Sequence, residues 1–281
     1  MDEIKEFSFN YWENELYDYE NNIYLSNDIF DRLDIKKFNN GRHRLFAVVY
    51  LFVVSWIYRY GKSIDINDSS LGLSRSIKEM CGVNNSDRKI DYIIKSKGVL
   101  DKLKITKTIH VSDAPLFYEF DKFTKYVTFE SAREYIDADI IPKINSNVQM
   151  KEPLLGTKER VVNGVTYLGT FQDVEYTFCF SMRDYIYMSR VLKLNVEVIG
   201  FYIYLLSLSS YYGGVIKRSR IAMADELGLT EKTITKYKSI LKEHGLINEY
   251  YNNPMKTQEV NTIIVKASDL YASSKTGSRD K

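Results

Sequence analysis

VIKRSRIAMADELGLTEKTITKYKSILKEHGLINEYYNNPMKTQEVNTIIVK, residues 215–266, decides the fold. Val215 and Ile216 suit a short strand. Ile221 to Leu227 predicts a helix that stops at Gly228, because glycine takes the positive φ of a helix terminus without penalty. Thr230 is placed to cap a second helix, its hydroxyl accepting from an orphan amide of the next turn. Ile234, Tyr237 and Leu241, at spacings of three and four, form one apolar face, which leaves Lys232, Thr233 and Lys236 pointing elsewhere. His244-Gly245 ends that helix. Leu246-Ile247 starts a strand, Asn252-Asn253-Pro254 turns the chain, and Asn261 to Lys266 alternates as a return strand.

A weaker copy of this stretch lies about 146 to 152 residues upstream. Ser76 to Gly82 matches Ala222 to Gly228, Val83 matches Leu229, and Lys97-Gly98-Val99-Leu100 matches His244-Gly245-Leu246-Ile247. A long apolar helix precedes each copy, Arg42 to Tyr60 and Val196 to Tyr212, and each ends in a Tyr-Gly pair. The glycine-to-glycine distance is 16 in the first copy and 17 in the second. Ile90, Ile93 and Ile94 are the buried side of the third helix expected in the first copy. Asn84, Asn85, Ser86, Arg88 and Lys89 are its exposed start. An internal repeat of this size implies duplicated structural units.

The order helix, Gly-Leu-Thr turn, helix, His-Gly-Leu-Ile, hairpin resembles the winged-helix DNA-binding domains of bacterial and phage proteins. The expected fold class is therefore α+β, mainly helical, with two winged-helix domains in tandem. The expected layout is an acidic aromatic arm over 1–22, an N-terminal winged-helix-like domain over 23–142 and a polar linker over 143–159. A C-terminal winged-helix domain then covers 160–271, and 272–281 is a frayed tail. Leu103 to Val111, Leu116 to Phe120 and Tyr126 to Phe129 read as strands, and Ser131 to Ile141 has helical spacing. Arg160 to Phe171 and Val174 to Phe180 suggest a hairpin that opens the second domain, with Asn163-Gly164 as a tight turn.

The charge pattern is more informative than the net charge of +2. Residues 1–34 carry ten acids and two bases, a net of −8, which leaves 37 bases and 27 acids, a net of +10, over residues 35–281. A basic body steers toward phosphate. Residues 1–20 lack the basic-then-apolar pattern of a secretory signal, and the longest apolar run, Leu45 to Ile57, is too short to span a bilayer. Cys81 and Cys179 lie far apart in apolar or helical contexts. Reduced, packed thiols in a cytoplasmic protein are expected.

Signals for catalysis are weak. Gly61-Lys62-Ser63 suggests a phosphate loop, but Trp56 stands where its first glycine belongs. His43, His110 and His244 are dispersed, which argues against a zinc site and against a paired-histidine metal centre. No enzyme activity and no cofactor are expected.

A winged helix lays its third helix in the major groove with its first turns at base edges. That assigns base contacts to Thr230, Lys232, Thr233 and Lys236, and phosphate contacts to Lys217, Arg218 and Arg220. Asn252, Asn253 and Lys256 fall on the wing, within reach of the backbone or minor groove. Two linked units could read successive major-groove sites about one helical turn apart. This architecture is similar to that of plasmid replication initiators with tandem winged helices. That resemblance implies duplex DNA as partner, repeated origin sites, a dominant C-terminal reader, and a homodimer and host replication proteins as candidate protein partners. A transcriptional regulator with an N-terminal dimerisation domain is the first alternative, and a replisome organiser or helicase-loader adaptor the second.

Overall fold

The computed structural model describes residues 22–60, 77–84, 86–110, 115–120, 123–128, 149–154, 157–162, 165–172, 176–211, 214–251 and 260–264. The arm up to residue 21, Asn85, the helix expected over Ser131 to Ile141, the Asn163-Gly164 turn, Asn252, Asn253, Lys256 and the tail lie outside them. The protein is α+β and mainly helical, with small antiparallel sheets. No helix of the described residues is long and apolar enough to cross a membrane.

The chain divides into two compact units, Met1–Val49 with Tyr176–Lys281, and Tyr50–Glu175. The boundary differs from the layout expected above. In the first unit β1 (Asn22–Ser26) pairs antiparallel with β8 (Thr177–Ser181), Asn22 opposite Ser181. Ile23 and Leu25 face inward with Phe178 and Phe180, following the two-residue period of a strand. The same alternation turns Cys179 outward, so it is exposed and not packed as its apolar context suggested. Cys81, in the other unit, is buried, and burial pushes its thiol pKa up.

After β1 come α1 (Ile29–Arg32), a 3₁₀ turn (Ile35–Lys37) and α2 (Gly41–Tyr60), whose first nine residues belong to this unit. β8 runs into a short helix (Met182–Ile186) capped by Ser181, then a π turn (Tyr187–Val191). The apolar helix Val196–Tyr211 follows. This helix is apolar nearly all round and is correspondingly sunk in the core, with Phe201, Tyr202, Ile203, Tyr204 and Leu205 each at most 2% exposed. Gly200 lets it approach the α2 backbone closely: a Cβ there would stand 2.5 Å from the Leu45 carbonyl oxygen. Burying side chains of this size contributes about 1.5–3 kcal/mol each. Strand Val215–Lys217, helix Arg220–Leu227, helix Glu231–Glu243 and strands Ile247–Tyr251 and Val260–Ile264 complete the unit. The last strand lies between the other two, pairing antiparallel with both.

The second unit holds the rest of α2, a helical turn over 77–80, a 3₁₀ turn (Arg88–Ile90) and single-turn helices α3 (Asp91–Ile94) and α4 (Val99–Lys102). Three two-stranded ladders follow. They are β2 (Thr106–His110) with β5 (Gln149–Pro153), β3 (Pro115–Phe120) with β4 (Phe123–Thr128), and β6 (Thr157–Val162) with β7 (Val165–Gln172). Residues 149–153, inside the expected linker, are thus a strand. The β6–β7 hairpin belongs to this unit and does not open the C-terminal one.

The core of this unit contains an ion pair. Lys151 Nζ lies 2.6 Å from Asp101 Oδ2 and also donates to Thr108 Oγ1 and the Lys95 carbonyl. Asp101 accepts in addition from Thr106, Thr108 and the Lys97 amide. Burial raises the Asp101 pKa, but the hydrogen bonds from Lys151, Thr108 and Thr106 outweigh it and hold the carboxyl below its ordinary value.

Candidate nucleic-acid interface

We label the C-terminal elements α6 (Val196–Tyr211), β9 (Val215–Lys217), α7 (Arg220–Leu227), α8 (Glu231–Glu243), β10 (Ile247–Tyr251) and β11 (Val260–Ile264); the helix Met182–Ile186 is α5. Ser219 starts α7 by accepting from the Ala222 amide at 3.1 Å. Gly228 ends it at φ +64, with the Leu229 amide donating back to the Ala224 carbonyl. Thr230 caps α8, accepting from the Thr233 amide at 3.2 Å and sharing a 2.9 Å hydrogen bond with the Thr233 hydroxyl. Glu231 in the first turn complements the helix dipole. Ile234, Tyr237 and Leu241 are buried, and Tyr237 packs on Phe201 of α6 at 5.7 Å between ring centroids.

The opposite face of α8 is exposed among the described residues. Lys232, Lys236 and Ser239 are exposed at successive spacings of four and three, with Thr235 beside them. Among the described residues neither Lys232 nor Lys236 takes part in an ion pair. Arg220, at the start of α7, reaches across to this face: its Nη1 is 3.5 Å from Thr235 Oγ1, which itself donates to the Glu231 carbonyl at 2.9 Å. Lys217 is exposed at the end of β9, opposite Asn261 of β11.

Arg218 has a different place. It pairs with Glu226 of α7, and the Tyr204 hydroxyl donates to the same carboxylate. Burial first, then the hydrogen bond and charge of Glu226, raise the Tyr204 pKa, so the phenol stays a donor. Arg218 is thus engaged within the fold. The buried Lys238 anchors α8 to the sheet, 3.0 Å from Glu249 of β10 and 3.4 Å from Thr262 of β11.

In the other unit, the Asn84 side chain accepts from the amide and hydroxyl of Ser86, each at 2.9 Å, and so closes its own turn. Arg88 and Lys89 are exposed on a 3₁₀ turn that Asp87 caps through the Lys89 amide. Thr235, Ser239 and Lys238 escaped sequence reasoning although helical spacing reaches all three. Position 238 lies four after Ile234 and three before Leu241, on the buried stripe, and its charge hid it.

Comparison with protein-family models, with curated proteins and with solved structures finds no match to this chain.

Proposed function

We propose that α6 to β11 form a winged helix and that the chain binds duplex DNA sequence-specifically by laying α8 in the major groove. The observation that carries this is the outward row Lys232, Thr235, Lys236 and Ser239 on a capped three-turn helix backed by a three-stranded sheet. Lysine donates to guanine O6 or N7, and hydroxyls bond base edges or meet a thymine methyl. Lys217 and Arg220 flank that row and supply phosphate contacts that set register.

The setting we propose is a plasmid or phage replication origin with repeated sites. Among the described residues α8 is the long helix with an outward polar row, and in this reading a second site is met by a second copy, the bound form being a homodimer on paired sites. Footprinting across the native replicon tests this. Clustered protected repeats beside the origin are expected, and protection nowhere would overturn DNA binding itself. A transcriptional regulator is the second reading. What favours it is that, among the described residues, the stretch of the other unit that matches α8 is a 3₁₀ turn and a single helical turn, where a second reader would need a long helix. A single protected operator over the chain's own promoter would select it.

A further inference from the structure

Residues 35–42 are pinned against the turn that launches α8. The Ile35 side chain fills the space that a Cβ at Gly228 would take. Gly41 presses on the same turn: a Cβ there would overlap the Leu227 carbonyl, stand 2.7 Å from the Gly228 oxygen and lie 2.9 Å from Leu229 Cδ2. Arg44, one turn further along α2, donates to the carbonyls of Glu226 and Phe30 and lies over the Phe30 ring at 5.7 Å. Asn40 caps α2 through the His43 amide at 3.0 Å.

This pinned segment presents three exposed cations, Lys36, Lys37 and Arg42. None of them takes part in an ion pair among the described residues. The neighbouring acids are engaged elsewhere. Asp28 holds Arg32 at 2.7 Å, and the Asp34 carboxylate accepts from the Lys36 amide at 3.0 Å. Asp31 and Asp34 also act on the buried Arg44, where burial lowers the guanidinium pKa and these charges oppose it. Arg42 stands close enough to α8 for its charge to act on Tyr237. Burial and Glu197 raise that hydroxyl to about 12, and Arg42 opposes them.

We propose that Lys36, Lys37 and Arg42 form a second phosphate-binding patch that grips the DNA backbone beside the groove entered by α8. The proposal rests on the DNA-binding reading above. Its logic is positional. Cations on a mobile loop add only diffuse attraction, whereas these sit on backbone packed against the Gly228 turn. They therefore hold a fixed distance from Thr230 and the first turn of α8, and such contacts set register without reading sequence. None of the three lies on the helix that carries the base contacts, so the patch can be removed without touching the reader.

The test measures affinity between about 50 and 200 mM salt, using a fluorescent duplex of the footprinted fragment and a random-sequence duplex of equal length. Each phosphate contact contributes about 0.9 to the slope of log affinity against log salt, so Lys36→Ala/Lys37→Ala/Arg42→Ala should flatten it by about 2 to 3. Affinity for both duplexes should fall together, leaving their ratio unchanged. Lys36→Arg/Lys37→Arg/Arg42→Lys should keep the wild-type slope, as should Lys193→Ala, an exposed control in the same unit. An unchanged slope in the triple alanine variant overturns the patch, and so does a collapse of the ratio, which would mean the segment acts by orienting α8. If Lys232→Ala/Lys236→Ala abolishes preference while the triple variant changes nothing, the patch alone fails. If neither set alters binding, the winged-helix reading fails with it.

Discussion

The two copies of the repeat begin alike and end differently. In both, a short helix is closed by a glycine at positive φ, Gly82 at +72 and Gly228 at +64. In both, the next amide donates back across the turn, Val83 to Lys78 and Leu229 to Ala224. Past that point α8 runs for 13 residues, whereas the other copy has a 3₁₀ turn, a single helical turn and a break at Lys95. The apolar stripe explains the difference. Ile234, Tyr237 and Leu241 continue over three turns, but after Ile90, Ile93 and Ile94 the next stripe position is Lys97, at φ +56. Gly98 then packs so tightly on the preceding turn that a Cβ would meet the Lys95 and Tyr92 carbonyls at 2.7 Å. A helix lasts as long as its buried face does; a shared cap starts it and does not sustain it.

Point substitutions distinguish the two copies. Lys232→Ala/Lys236→Ala should abolish the specific gel shift, since two contacts of about 1–3 kcal/mol each are removed, while the thermal midpoint stays within error. Arg88→Ala/Lys89→Ala should weaken binding far less. An equal loss from both pairs would restore the two-reader picture.

Asp101→Asn should destabilise the unit of residues 50–175 by about 3 kcal/mol, the low end for a broken buried pair, because Lys151 is left unpaired. Chemical denaturation followed by a probe in that unit reads it. The pH dependence has a defined sign. The Asp101 pKa is depressed in the fold, so its stabilisation is full above the ordinary value of 3.8 and lost as pH falls through the lower folded value. The gap between wild type and Asp101→Asn should therefore be wide at neutral pH and close in acid.

Glycine substitutions separate the two turns. Gly82→Ala, with open space around its Cβ, should cost only the backbone penalty of about 1–2 kcal/mol. Gly228→Ala carries the same penalty plus overlap with Ile35, adding about 1–3 kcal/mol by overpacking. Equal melting points for the two variants would mean that residues 35–42 do not brace the turn. The smallest effect is the cap: Thr230→Ala should lower stability by about 1 kcal/mol, with increased amide exchange confined to the first turn of α8.

Much of the C-terminal unit was legible in the sequence. The helix ends at Gly228 and His244, the Thr230 cap, the buried face of α8 and the apolar helix, expected to Tyr212 and observed to Tyr211, all follow from local spacing. Ser219, the cap of α7, sits within the basic run Lys217 to Arg220, whose charge is the stronger local signal. Arg218 reads as a phosphate contact, since nothing local reveals that it pairs with Glu226, the carboxylate to which Tyr204 also donates. The linker expected over 143–159 is polar in composition, yet Met150, Lys151 and Pro153 of β5 are all buried, and the partner of that strand is β2, about forty residues away.

Short-range physics, readable along the chain, governs where helices start and stop, which face of each is apolar, and where glycine closes a turn at positive φ. Tertiary structure alone decided that Asn22–Ser26 pairs with Thr177–Ser181 and that residues 35–44 brace the turn before α8. It also decided which cations are engaged within the fold and which face outward. The reason is that alternation tells a strand which side to bury but not which partner to choose. Likewise, a charge is available to a ligand only if nothing distant in the chain folds against it.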